Sequence, residues 1–176
     1  MKLLSAIVYL TSATSLVFSA PLPNLQTQAT DGSPVPTRLV ATLNEHRRHF
    51  GLAALHIDPL AERAAQLQAE DMQAHDVLRH LDSSGRSPME RFTQLGGHAA
   101  AYGENVAYYS EPSSDAGKQW VAVAKLDDLM MAEKPPEDGH RQNILSPMYD
   151  GVGVGIAIGP HGIFIAEDFV AVQDTQ

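Results

Sequence analysis

Residues 151–158 read Gly151-Val152-Gly153-Val154-Gly155-Ile156-Ala157-Ile158. Large side chains alternate with glycine or alanine, the period of two that belongs to a β-strand, so one face is branched and bulky while the other is almost bare. A bare strand face leaves a gap unless another element approaches its backbone closely. Gly159-Pro160-His161-Gly162 reads as a turn, and Ile163 to Val170 returns as a partner strand with Glu167-Asp168 near its far end. Upstream of this hairpin the pattern is mostly helical. Helices followed by consecutive antiparallel strands predict an α+β domain in which helices cover a sheet.

Just before the hairpin lies Asp138-Gly139-His140-Arg141-Gln142-Asn143-Ile144-Leu145. Pro135-Pro136 ends the preceding helix and Pro147 ends the one starting at Gly139, which places His140 near the N-terminus of a short helix. There the helix dipole favours the neutral imidazole, able to accept a proton or bind a metal. Ser113 or Ser114 is expected to cap a longer helix carrying Trp120, Val123, Leu126, Leu129 and Met130, and Ala99 to Tyr109 reads as a loop entering a short extended piece. Ser87-Pro88-Met89-Glu90 is a capping box opening a brief helix, with Met89, Phe92 and Leu95 inward and Gly96-Gly97 at its end. Asp58-Pro59 starts a helix to about Ala74, its inner side expected to carry Leu60, Ala61, Ala64, Ala65, Leu67 and Met72. Leu52 to Ile57 is a short apolar connector, and Thr37 is expected to cap a first helix with Leu39, Val40, Leu43 and Phe50, stopped by Gly51.

Residues 1–19 have the form of a secretory signal: Met1-Lys2, an apolar run from Leu3 to Phe18, and a small-residue exit. The run is broken by Ser5, Thr11, Ser12, Thr14 and Ser15, which argues against a membrane anchor. Cleavage is expected after Ser19, because proline just past the cut is disfavoured and Pro21 follows Ala20. Residues 20–36, rich in Pro, Gln, Thr and Ser, read as a flexible spacer, leaving a domain over 37–172. Secretion without a transmembrane anchor is the expectation. The net charge of -9, more negative still once Lys2 is removed, opposes a phosphate backbone and excludes nucleic acid as a natural partner. There is no cysteine, hence no disulfide, thiol nucleophile or thiolate metal site, and the domain must be held by its core.

Of eight histidines, His46, His49, His75, His98 and His161 are expected to be solvated or locally satisfied, and His56 to be a hydrogen-bonded core ring. His80 and His140 stand apart, each beside turn or helix-start residues and close to a backbone-binding side chain, Asp82 or Asn143. Glu104 follows a glycine that lets backbone come close while its carboxylate projects; its structural alternative is a carboxylate accepting backbone N–H groups. The chain has no His-Glu-x-x-His, Gly-x-Ser-x-Gly or phosphate-cradling loop, and Gly151 to Gly155 lies in a strand rather than between a strand and a helix.

Taken together, Asn44, Arg47, Gly51-Leu52, Leu60, Ala64-Ala65, His80-Leu81-Asp82-Ser83, Arg91, Gly103-Glu104-Asn105, Gly139 to Leu145 and Val152 to Gly155 resemble the CAP superfamily, the sperm-coating-protein-like extracellular domain, in its disulfide-free secreted bacterial form. The resemblance runs from Thr37 to Val170. It implies a three-layer α-β-α sandwich with a central antiparallel sheet, and an open cleft carrying two histidines and one or two glutamates. The matching positions are His80, Glu104 and His140; Glu133 is the candidate for the second glutamate, in a segment longer than in many disulfide-free relatives. Asn105, Arg141 and Asn143 are assigned to structure around the cleft. Two neutral imidazoles and a carboxylate would suit a divalent cation, most simply zinc held by His80 and His140 with water completing the shell. The resemblance favours a module that binds a lipid, a peptide or a cell-envelope fragment. The alternatives are a metal-dependent hydrolase or protease with Glu104 as general base, and a non-catalytic scaffold.

Overall fold

The computed structural model describes residues 33–172. The expected signal, residues 1–19, and the spacer up to residue 32 lie outside the described residues. Five helices and four strands follow in the order α1 (Val35–His49), β1 (His56–Ile57), α2 (Pro59–His75), α3 (Pro88–Gln94), β2 (Ala99–Tyr109), α4 (Ala116–Met131), α5 (Gly139–Ile144), β3 (Gly151–Gly159) and β4 (Gly162–Val172). The strands form one sheet in the order β1-β3-β4-β2. Its three long strands are antiparallel and only the two-residue β1 joins in parallel, along Gly151-Val152 of β3.

The period of two sorts the sheet into two faces. Val152, Val154, Ile163, Ile165 and Phe169 pack with Leu39 and Leu43 of α1, Trp120, Val123, Leu126 and Met130 of α4, and Ile144 of α5. The opposite face meets α2 and α3 through Ala61, Ala64, Ala65, Met72 and Phe92, which pack on Val106, Phe164, Ala166 and Val170. This is the expected three-layer α-β-α sandwich, and α2 is the element that the bare face receives. A Cβ at Gly153 would lie 1.9 Å from the backbone nitrogen of Glu62, and one at Gly155 would lie 2.2 Å from the carbonyl carbon of Ala65. Only glycine permits so close a helix–strand approach.

That contact corrects the expected inner face of α2. Leu60 is exposed and Leu67 half-buried, whereas Ala61, Ala64, Ala65, Gln68, Ala69 and Met72 are buried, because a helix seated against bare backbone must offer its small residues. Other boundaries also move. α1 begins at Val35 rather than at a Thr37 cap, with Pro34 at the N-cap and Pro36 in the first turn, where a missing N–H costs nothing. Asp115, not Ser113 or Ser114, caps α4, accepting from the Lys118 amide at 2.8 Å. Met89, expected inward, is exposed, and so is Leu129 of α4. Ala99 to Tyr109 is an eleven-residue strand throughout rather than a loop entering a short extended piece, and it pairs along its length with β4. The Asp58 cap, the Ser87–Glu90 capping box and the Gly139 helix start form as expected.

Candidate functional site

β2 organises the site because consecutive residues of a strand serve opposite faces. Glu104 points towards α2 and α3, and Asn105 towards α4 and α5. A histidine-bearing segment attaches at each.

On the α2–α3 side the loop after α2 is tied down from several directions before it presents His80. Gln68 of α2 donates to the Arg79 carbonyl at 2.6 Å, and Asp71 accepts from Arg79 and from the Ser83 amide at 2.9 and 3.0 Å. Asp82 closes the next turn by accepting from the Ser84 and Arg86 amides. Arg91 of α3 donates to the His80 carbonyl at 2.8 Å and also binds the Glu104 carboxylate. His80 Nδ1 lies 2.8 Å from the other oxygen of Glu104. The Glu104 side chain is 1% exposed, and that of His80 is 26% exposed. Burial pushes the Glu104 carboxyl up to about 7, the attraction of Arg91 offsetting only part of that cost. Burial, with the neighbouring Arg91 charge, lowers the His80 pKa and favours its neutral ring. A neutral His80 then donates Nδ1–H to Glu104 and leaves the Nε2 lone pair free.

The second arm is built from the α4–α5 connection. Glu133 accepts from His140 Nδ1 at 2.5 Å and from the His140 amide at 3.1 Å, so one carboxylate orients the ring and caps the start of α5. Asn105 Nδ2 donates to the His140 carbonyl at 3.2 Å, and Asn143 donates to Asn105 Oδ1 at 2.8 Å. Arg141 donates to the Met131 carbonyl and stacks over Phe50. Asn105, Arg141 and Asn143 are thus the scaffold of this arm. Buried Arg47 completes it from α1, donating to the carbonyls of Ile144 and Ser146 at 2.9 and 2.8 Å.

The structure therefore sorts the four expected residues into two pairs, His80–Glu104 and His140–Glu133. Each imidazole uses Nδ1 on a carboxylate, and neither Nε2 takes part in a hydrogen bond among the described residues. A carboxylate on the far nitrogen is the usual support of a metal-binding histidine. Among the described residues, however, no group of three or more His, Asp and Glu side chains could hold a metal ion. Glu104, with one oxygen on His80 and the other on Arg91, leaves the two imidazoles as the available donors.

Two histidines depart from expectation. His56 is exposed on β1 rather than a core ring. His46, expected in a polar helix end, is fully buried with Nε2 2.7 Å from Asp127 Oδ2, because α4 covers that side of α1. A second buried group also went unforeseen: Asp168, cross-strand from Glu104, accepts from the Tyr102 hydroxyl at 2.7 Å and contacts the Glu104 carboxyl. The available signal was Glu167-Asp168, two acids within an otherwise apolar strand.

Among the described residues no helix is long and apolar enough to cross a membrane. The chain is 26% identical over 141 residues to the uncharacterized protein YkwD of Bacillus subtilis, matching 77% of this chain and 49% of that protein. Its fold is similar to that of an extracellular Bacillus anthracis protein containing an SCP domain, with a TM-score of 0.61 and 22% identity over 88% of this chain and 45% of the other. The chain thus spans about half the length of these two relatives. NaASP2, solved with Zn2+, shares the fold with a TM-score of 0.57 and 13% identity, over 84% of this chain and 86% of that one. Residues 40–174 match the family model described as CAP, the cysteine-rich secretory protein family, and the protein belongs to that family as a member without a single cysteine.

Proposed function

We propose that this is a secreted binding module whose His80–Glu104 and His140–Glu133 pairs flank a cleft for a small ligand, a lipid, a peptide or a cell-envelope fragment. One observation carries the reading: two imidazoles, approaching β2 from opposite helical layers, are each oriented by a carboxylate at Nδ1 and left unbonded at Nε2. Such rings are fixed in place yet free to accept a donor or to bind a cation. Secretion is supported by the form of residues 1–19 and by the extracellular relative from Bacillus anthracis.

The same donor set supports a divalent cation held by the two Nε2 atoms, with water or ligand supplying the other positions, and the Zn2+ in the NaASP2 structure favours trying that metal first. A bound cation would supply a Lewis acid next to the ligand. Glu133 and Glu104 would orient the rings rather than ligate. The hydrolytic alternative has less support, because a general base needs a free oxygen facing the substrate, whereas Glu104 is sealed and bound on both oxygens.

Calorimetric titration of the domain with zinc near neutral pH, beside the His80→Ala, His140→Ala double variant, tests the cation. One-to-one binding lost in the double variant is expected. If neither protein binds, the cation is discarded. Uptake of lipid vesicles and envelope fragments then tests the ligand itself, and saturable uptake by the unsubstituted domain is expected. Product formation abolished by Glu104→Gln would instead establish the hydrolase.

A further inference from the structure

Glu167 and Asp168 are consecutive in β4 and so serve opposite faces of the sheet. In register, Asp168 lies between Gly153 and Glu104, and Glu167 between Val154 and Asn105. Each acid thus sits one strand in from one histidine arm. Each acid has one bonded oxygen and one without a hydrogen-bond partner among the described residues: Asp168 Oδ2 accepts from the Tyr102 hydroxyl at 2.7 Å, and Glu167 Oε2 accepts from Asn105 Nδ2 at 3.0 Å. Of the two, Glu167 is the one whose only donor also serves a histidine arm.

Asn105 Nδ2 is the atom that also donates to the His140 carbonyl. It has two hydrogens, one for each of these oxygen acceptors, with the Met130 sulfur a weaker third acceptor at 3.9 Å. The charged groups facing Glu167 come from the helical layer, Asp127 of α4 and, bonded to it, His46 of α1. β3 contributes Val154, β2 contributes Asn105, and α5 contributes the His140 carbonyl on the far side of Asn105. Asp127 Oδ1 and His46 Nδ1 are likewise without partners among the described residues, and His46, Asn105, Asp127 and Glu167 are all fully buried.

We propose that Glu167 is a positioning residue for His140, acting through Asn105, and that loss of its proton to solvent releases the start of α5. A protonated Glu167 is neutral beside Asp127, accepts one N–H from Asn105, and brings an O–H donor of its own to a region where Asp127 Oδ1 lacks a partner among the described residues. An ionised one is a dry carboxylate with a bare oxygen next to a second acid. Asn105, already bonded to Glu167, has its other N–H on the His140 carbonyl, and that N–H is the one an ionised carboxylate would draw away. Burial and the Asp127 charge push the Glu167 carboxyl up to about 8, so the exchange falls just above neutrality. The inference rests on His140 belonging to the ligand site, but its test uses no ligand.

The ring signals of His80 and His140 in the NMR spectrum of the ligand-free domain are followed from about pH 5 to about pH 10. His140 is expected to show an inflection near 8, second to any that its own ring produces, and this second inflection should disappear in Glu167→Gln. His80, held by Glu104 on the other face, is expected to keep one profile in both proteins. In Asp127→Asn the facing charge is gone, and the second inflection should fall by about one pH unit. A His140 signal without the second inflection overturns the proposal, as does an inflection that survives Glu167→Gln or is unmoved in Asp127→Asn. Failure of zinc or lipid binding leaves these outcomes readable, and failure here leaves the binding reading standing.

Discussion

Replacing Gly153 with alanine adds one methyl group at the closest helix–strand contact in the molecule's central interface. The new Cβ would sit 1.9 Å from the Glu62 nitrogen, 2.1 Å from the Ala61 carbonyl carbon and 2.5 Å from the Ala61 carbonyl oxygen. All three are backbone atoms, so no side chain can swing aside. Carbon atoms pack at about 3.5–4.0 Å, so α2 must withdraw by roughly 1.5–2 Å. Ala61, Ala64, Ala65 and Ala69 are fully buried along that seam. A retreat would open a slot too thin for water and forfeit their contacts. Overpacking typically costs about 1–3 kcal/mol, and rigid backbone on both sides places Gly153→Ala at or above about 3 kcal/mol. That is a large fraction of the roughly 5–15 kcal/mol that holds an ordinary domain together. Urea unfolding measures it, with Gly117→Ala as the control. At Gly117 the nearest atom to an added Cβ is the capping carboxylate oxygen of Asp115 at 3.2 Å, which needs to give by only a few tenths of an ångström, and the change should be less than about 1 kcal/mol. Because α2 also carries Gln68 and Asp71, Gly153→Ala should disturb the His80 loop as well. A Gly153→Ala protein within about 0.5 kcal/mol of the parent would refute the close-approach argument for the bare strand face.

Arg91→Leu removes the cation from a Glu104 side chain that is 1% exposed, together with the donors to the His80 and Arg86 carbonyls. Breaking a buried pair on one side costs about 3–5 kcal/mol, and uptake of a proton by Glu104 should bring the loss to the lower end, read by thermal unfolding. Glu167→Gln should change how stability depends on pH. Its folded pKa of about 8 lies above the ordinary 4.5, so the native state keeps a proton that the unfolded chain sheds. The contribution is therefore full below 4.5 and is lost as pH rises towards 8, a fall of roughly 3–5 kcal/mol across the window. Urea midpoints measured at several pH values should fall less steeply in the variant, and parallel curves would show that Glu167 ionises as easily in the native state as in the unfolded one.

The hairpin and the helices covering it were legible because strand alternation and helix caps are local signals, while the three-layer order came from the resemblance to the CAP superfamily. What was misread depended on size and on distant partners. On the inner face of α2 the expected Ala61, Ala64, Ala65 and Met72 are buried, whereas the expected Leu60 and Leu67 are not, because a strand with a bare face accepts only a helix with a small one. The strand character of Ala99 to Tyr109 was hidden by Gly103-Glu104-Asn105, whose composition suggests a loop. Each of the three is explained by a tertiary contact: Tyr149 lies over Gly103, Arg91 and His80 hold Glu104, and Glu167 and the His140 carbonyl hold Asn105. His80, Glu104 and His140 could be proposed from motif order, whereas the pairing of Glu133 with His140 could not, since it depends on how the chain turns between α4 and α5. His46 and Asp127 are 81 positions apart and carry no local mark of their contact. Polar residues interrupting a strand therefore mark two different things here. Glu104 and Asn105 interrupt β2 because they hold the site, and Glu167 and Asp168 interrupt β4 because they hold Glu104 and Asn105 in turn. Two adjacent acids in an apolar strand are costly to bury, and they make sense only if each is committed to a different face of the sheet. That commitment joins the two histidine arms through four residues of two neighbouring strands, beside the one long bond from Asn143 Nδ2 to the Glu104 carbonyl at 3.4 Å.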